Sequence, residues 1–189
     1  MKRLLLISAA LLVAAPVAAS EYEAVMRDYL EASIRGWAHD PVLIDAITTQ
    51  NQTSDSYSQT DIDSMDQTWR AEVGQVSQPM IADVLSNAAS VFLRGQVEAS
   101  GGIISEVFAM DARGLNVAAS DVTSDYWQGD EAKFQETYPK GSDAVHFSEV
   151  EFDESANAYL GQVSIAITHP DSGEVIGALT IGLNAEALF

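Results

Sequence analysis

The chain has 189 residues and a formal net charge of −19, from 28 acidic and nine basic side chains. Nucleic acid and anionic membrane surfaces would both repel so acidic a protein, so neither is expected as a partner. Hydrophobic residues make up 47% of the sequence, which supports a packed core and excludes an acidic disordered tail. The sequence has no cysteine, which excludes disulfides and thiol chemistry, and its length suits one domain.

Residues 1–19 have the three parts of a secretory signal peptide. Lys2 and Arg3 form the basic start, an apolar stretch runs over residues 4–13, and small residues precede a predicted cleavage after Ala19 or Ala18. The alternative, a membrane anchor, needs roughly 20 apolar residues, more than this stretch provides. We therefore predict export to the periplasm, with a mature chain over residues 20–189 that has no membrane span.

Residues 21–100 are predicted to be helical because their apolar side chains recur at helical spacing. Asp40-Pro41 offers an N-cap and a first-turn proline for a second, short helix, and residues 51–59 look turn-like. Thr60 with Asp63 resembles a capping box for the next helix. Pro79 then begins a further helix, or a broken pair of helices, that ends at Gly101-Gly102.

From Ile103 onward the apolar period changes to two, which predicts strands. Five strands are expected, at residues 104–110, 115–119, 144–152, 159–168 and 175–184. A polar loop and a helix over residues 130–138 lie between the second and third strands. Helices followed by an antiparallel sheet indicate an α+β fold.

The last two strands each have one bulky face and one face of small and polar side chains. The bulky faces are expected to pack on the N-terminal helices. The opposite face offers volume and hydrogen-bonding groups, as a small-molecule pocket requires, or it is simply a solvated sheet face. Its candidate ligand-binding residues are Gln162, Ser164, Thr180 and Asn184. Tyr126-Trp127, in the insertion between strands two and three, is the predicted cover.

Three stretches give the sequence a resemblance to a known family: residues 103–114 with an Asp-x-x-Gly turn, residues 121–133, and the closing strand over residues 173–182. Together with the order of elements, they resemble an extracellular PAS-like sensor domain of the Cache, or PDC, family. The resemblance covers nearly the whole mature chain and corresponds to one sensor module, of a stand-alone exported type. It implies a long-helix and five-stranded architecture and a role in signal transduction, with a small ligand bound between the sheet and the insertion.

Carried over by position, the resemblance nominates Ser120, Asp121, Tyr126, Trp127 and Asp130 as further ligand-binding residues. Many amino-acid-binding members have an arginine two residues before a Trp-Tyr or Trp-Phe pair, and this sequence lacks it. Since arginine suits a carboxylate, its absence favours an amine or another small metabolite over an amino-acid carboxylate. Arg70 and Lys133 are the nearby alternatives for an anion.

Enzyme motifs are missing: the sequence has no Gly-x-Ser-x-Gly elbow, no His-Glu-x-x-His and no glycine-rich phosphate loop. We therefore predict neither catalysis nor a bound metal or cofactor. Two alternatives stay open, an interaction subunit with a vestigial pocket and an acidic metal-dependent hydrolase. Because no output domain follows the last strand in this sequence, a membrane receptor or a transporter is the expected protein partner.

Overall fold

The computed structural model describes residues 17–153 and 158–189; the first 16 residues of the predicted signal peptide lie outside this part. The helices are α1 (Val17–Tyr29), continued by a π-helical turn over Leu30–Ile34, α2 (Pro41–Ser54), α3 (Gln59–Glu72), α4 (Pro79–Ser86), α5 (Ala88–Ala99) and α6 (Ala132–Gln135). The strands are β1 (Ile104–Met110), β2 (Asn116–Ala119), β3 (Val145–Phe147), β4 (Glu151–Asp153), β5 (Ala158–Thr168) and β6 (Val175–Asn184). Within the described residues, no helix combines the length and the apolarity needed to cross a bilayer.

Side-chain caps fix where α2 and α3 begin. The Asp40 carboxylate accepts a hydrogen bond from the amide of Val42 at 3.0 Å, and α2 then continues to Ser54, beyond the predicted start of the turn. The capping box of α3 pairs Ser58 with Asp61 rather than the predicted Thr60 with Asp63. Both pairs have the required spacing, but the helix begins earlier than predicted, directly after the bend that ends α2.

The sheet is antiparallel, with the strand order β2-β1-β6-β5-β3. β4 also pairs with β5, so two short strands share the fifth position. The single strand predicted over residues 144–152 is therefore interrupted between Phe147 and Glu151. The predicted α+β class and the five-position antiparallel sheet are confirmed.

The bulky faces of β5 and β6 pack on α1, on the π-helical turn that continues it and on α2, as predicted. The side chains at the centre of this layer are at most 1% exposed: Met26, Leu30, Ile34, Leu43, Ile47, Val163, Ile165, Ile167, Leu179, Ile181 and Leu183. Burial of each Leu or Ile side chain contributes about 1.5–3 kcal/mol, so this layer holds the helices on the sheet. Tyr159 departs from the pattern: it is 44% exposed and packs edge-on against Phe152 at the sheet margin.

Candidate functional site

The face of the sheet opposite the long helices is covered at its centre by α6 and the turn that follows it. Phe134 and Tyr138 stack with their ring centroids 5.1 Å apart and pack on an apolar patch that includes Phe108, Met110 and Ala178. The cover is therefore formed by Phe134 and Tyr138, and the prediction that Tyr126-Trp127 provides it is wrong. α6 is also shorter than predicted, since Tyr138 lies in a separate 3-10 turn.

Ser164 and Thr180 face this side of the sheet, as the strand alternation predicts, but they lie beneath the cover. Both are fully buried, and their hydroxyl oxygens are 2.9 Å apart across the β5–β6 pair. Because each hydroxyl has the other as its hydrogen-bond partner, the pair satisfies itself inside the core. Their proposed contact with a ligand stays a prediction.

An inner cavity of about 150 Å³ opens beside this cover, between β1, β5 and the segment that precedes α6. Its walls are Glu106, Phe108, Val122, Thr123, Ser124, Gln128, Lys133 and Gln162. All eight residues come from the sheet or from residues 121–133, the two elements that the resemblance places around a ligand. The inner cavity is therefore the candidate binding site.

Glu106 and Gln162 meet at the sheet side of the inner cavity because of a glycine between their strands. In the strand register, Glu106 of β1 and Gln162 of β5 both pair with Gly182 of β6. The Gln162 amide donates to Glu106 Oε1 at 3.0 Å across it. A Cβ on Gly182 would lie 2.7 Å from Glu106 Cγ, so a side chain there would displace the carboxylate.

Two charged side chains line the inner cavity, Glu106 and Lys133, and only one of them already has a partner of opposite charge. Lys133 Nζ lies 3.0 Å from Glu131 Oε2 and 5.3 Å from the centroid of the Phe108 ring, so its charge is already compensated. Among the ion pairs of the described residues, none includes Glu106. The half-buried Glu106 carboxylate is therefore free to accept a cation.

An outer cleft of about 480 Å³ adjoins the inner cavity and shares Glu106 and Gln162 with it. Its rim adds the exposed carboxylates of Glu149 and Glu151 and the ring of Phe152. Three carboxylates and an aromatic ring favour a cation at this entrance and disfavour an anion.

The segment that walls the inner cavity is bound to α3 by hydrogen bonds. Asp66 Oδ1 accepts the backbone amides of Tyr126 and Trp127 at 2.9 and 3.1 Å, and the Trp69 indole donates to the carbonyl of Thr123 at 2.9 Å. Arg70 adds ion pairs to Asp66 and Asp125. α3 therefore holds the position of this wall.

Tyr126 and Trp127 point away from the inner cavity, because α3 holds their side of the segment. Tyr126 is 7% exposed and stacks on Trp69, with ring centroids 5.5 Å apart. The Trp127 indole donates to the carbonyl of Arg113 at 2.9 Å, in the β1–β2 turn. Burial, followed by the nearby Asp111 carboxylate, raises the pKa of Tyr126, so its hydroxyl stays protonated at neutral pH.

The other predicted residues lie outside the walls of the inner cavity and the outer cleft. Ser120 Oγ accepts the amide of Val107 at 2.9 Å, and Asp121 is exposed and accepts the amide of Val122. Asp130 is exposed at the surface. Asn184 caps the last 3-10 turn by accepting the amide of Glu186. Of the nine candidates, Gln162 is the one that lines the inner cavity and the outer cleft.

No family model matches the sequence, and no curated protein matches it significantly. Solved structures do match. The sensor domain of the histidine kinase DctB from V. cholerae aligns with a TM-score of 0.50 at 11% identity, over 89% of this chain and 54% of that one. The chain therefore spans about half the length of that sensor domain.

Two chemoreceptor domains align with lower scores. The Campylobacter jejuni Tlp3 ligand-binding domain, in complex with 4-methylisoleucine, gives a TM-score of 0.40 at 15% identity, over 89% of this chain and 62% of that one. The domain of the Pseudomonas aeruginosa PAO1 amino-acid chemoreceptor PctC, in complex with GABA, gives 0.38 at 12% identity, over 77% and 64%.

The chain has the fold of the DctB sensor domain. The fold that the resemblance implies is therefore confirmed. At 11% identity, the structural similarity to the DctB domain shows the fold alone. The class of ligand depends on the side chains of this chain.

Within this fold, sequence reasoning missed Glu106 and Phe108 as walls of the inner cavity and considered Lys133 only as a partner for an anion. Glu106 could have been singled out from the sequence, because it is the one charged residue in the apolar strand β1. Its position opposite Gly182 could not have been predicted, since the spacing of apolar residues does not give the strand order.

Proposed function

We propose that this protein is an exported, periplasmic sensor-type protein that binds a small aliphatic amine. The ammonium group lies in the inner cavity against Glu106 and Gln162, and the rest of the ligand extends into the outer cleft. The observation that carries the proposal is the Glu106 carboxylate, which is half-buried, bonded to a neutral amide and open to a cavity walled by residues 121–133.

The charges around the site support an amine over an acid. A carboxylate ligand would meet Glu106, Glu149 and Glu151 on a protein of net charge −19. The one lysine of the inner cavity is paired with Glu131. An ammonium group gains from all three carboxylates, and a charge-assisted hydrogen bond to one of them contributes about 1.5–3 kcal/mol.

A thermal-shift experiment with three four-carbon probes tests the ligand class. Putrescine is cationic, 1,4-butanediol is neutral and succinate is anionic, at nearly constant length. At a tenfold excess over its dissociation constant, putrescine stabilises the protein by about 1.4 kcal/mol, which raises Tm by about 3–6 °C. The diol and succinate are expected to leave Tm unchanged at the same concentration.

The matched variants each remove one negative charge: Glu106→Gln removes it inside the site, and Glu98→Gln removes it outside the site. Glu98 is exposed on α5. Glu106→Gln should weaken putrescine binding at least tenfold, and Glu98→Gln should not change it. Stabilisation by succinate, or equal effects of the two variants, would contradict the proposal. If no probe shifts Tm, the interaction subunit becomes the better account.

Export is tested separately by the N-terminus of the protein. Expressed in full in a bacterial host, the chain should be recovered from the periplasmic fraction with Ser20 as its first residue. Recovery from the cytoplasm with the first 19 residues intact would contradict export without affecting the ligand proposal.

A further inference from the structure

A second opening lies on the other side of the molecule, between α2 and the N-terminal end of α5. We call it the helix-side groove. Its volume is about 650 Å³, and its walls include Val42, Asp45 and Thr49 of α2, Tyr57, Ala88 and Tyr126. It shares no lining residue with the inner cavity or the outer cleft.

The walls of the helix-side groove combine aromatic and aliphatic surface with a single charge. Val42, Ala88 and the half-buried Tyr57 provide the apolar part, and the largely buried Tyr126 contributes little accessible surface. Among the described residues that line the groove, Asp45 is the only charged one, and it is exposed at the rim. A flat apolar molecule fits such walls, and a positive charge on it is favoured by Asp45.

The floor of the helix-side groove is held in place by hydrogen bonds. Gln50, which lines the groove next to Tyr126, donates to the buried carboxylate of Asp111 at 3.0 Å. Asp111 also accepts hydrogen bonds from the backbone amides of Arg113 and Leu115. Tyr126 stacks on Trp69. Because these groups already have partners within the protein, the groove keeps its shape without a ligand, which lowers the entropic cost of binding.

We propose that the helix-side groove binds a small aromatic amine, independently of the proposed ligand of the inner cavity. The ring of the amine packs against Tyr57, Val42 and Ala88, and its ammonium group lies at the rim beside Asp45. A neutral molecule of the same shape binds more weakly, and an anion is repelled.

Isothermal titration calorimetry with three indole probes tests which ligand charge the groove prefers. Tryptamine is cationic, tryptophol is neutral and indole-3-acetate is anionic. Tryptamine should bind most tightly and indole-3-acetate least. Asp45→Asn should weaken tryptamine about twofold to fivefold, as expected for an exposed ion pair, and leave tryptophol unchanged. Asp28→Asn, an exposed aspartate on α1, is the matched control and should alter neither.

Two filling variants test the location. Thr49 and Ala88 are exposed residues that line the groove, so Thr49→Phe and Ala88→Phe should each reduce tryptamine and tryptophol binding at least tenfold in a folded protein. Glu106→Gln should leave both unchanged, which separates this site from the inner cavity. Unchanged binding in both filling variants, indole-3-acetate binding as tightly as tryptamine, or no binding by any probe would overturn the proposal.

Discussion

The backbones of Gly114 and Gly129 are in close contact where the β1–β2 turn meets the segment that lines the inner cavity. Gly114 has a φ of +77°, and a Cβ on it would lie 2.5 Å from Gly129 Cα. The amide of Gln128 donates to the Gly114 carbonyl at 2.8 Å, so the two backbones are in direct contact. A side chain at Gly114 therefore has neither the conformation nor the space it needs.

We predict that Gly114→Ala destabilises the protein by about 1–3 kcal/mol, because the new methyl group separates the turn from the segment. Gly95→Ala is the control: Gly95 lies within α5, and a Cβ on it would extend into open space. There alanine should stabilise by up to about 1 kcal/mol. Urea unfolding measures both, and a Gly114→Ala protein as stable as the wild type would contradict the close contact.

For single residues, the sequence predicted side-chain orientations that follow from strand alternation. It did not predict orientations that depend on tertiary packing. Gln162 lies on the predicted face of the sheet because every second residue of β5 faces the same side, and its contact with a ligand stays a prediction. Trp127 was misplaced because its orientation depends on Asp66, more than 50 residues earlier in the chain. Nothing local to Tyr126-Trp127 indicates which side of the segment α3 will hold.

α3 is the element that positions the wall of the candidate site, and Asp66 is its main contact. The Asp66 side chain is largely buried and accepts two consecutive backbone amides, of Tyr126 and Trp127. A carboxylate that accepts two amides restrains the backbone at that point. The helix itself was predictable, but this contact with a distant segment was not.

Replacing Asp66 with alanine should free the segment while the rest of the fold persists. We expect the amides of Tyr126 and Trp127 to exchange with solvent at least tenfold faster, since both lose their hydrogen-bond acceptor. Asp63→Ala, earlier on α3 and exposed, should leave both rates unchanged. Hydrogen exchange followed by NMR gives these rates, and equal protection in the two variants would argue against the role of Asp66.

The N-terminus of α3 gives a pH-dependent prediction. Hydrogen bonds from the Ser58 side chain, and then from its backbone, lower the pKa of Asp61 below its ordinary value of 3.8. Such a group stabilises the fold above pH 3.8, and this stabilisation is lost as the pH falls through the lower, folded-state pKa.

Asp61→Asn should therefore lower Tm at pH 7 and converge with the wild type as the pH falls below about 4. Asp63→Asn, on the same helix but outside the capping box, is the control and should change Tm at pH 7 less than Asp61→Asn does. Thermal unfolding between about pH 3 and pH 7 measures both variants. A constant difference between Asp61→Asn and the wild type across that range would contradict the assignment.

At the scale of the whole molecule, the sequence predicted the order of elements and the two-sided sheet, since both follow from the change of apolar period near Ile103. The strand order β2-β1-β6-β5-β3 needed the structure. That order places Glu106 next to Gln162 across Gly182, so the site results from register and not from any contiguous motif. The interruption between β3 and β4 likewise opens the outer cleft beside Glu149 and Glu151.

The proposal that matters most is that a small amine binds in the inner cavity, between the sheet and residues 121–133. We predict in addition that residues 121–140 are the part of the protein that responds most to this ligand. Hydrogen-exchange mass spectrometry of the mature protein with and without putrescine tests it most directly. We predict slower exchange in residues 104–110 and 121–140 and unchanged exchange in α2 and α5, with the whole effect lost in Glu106→Gln. Protection confined to the helices of residues 21–100, with residues 121–140 unaffected, would contradict the account.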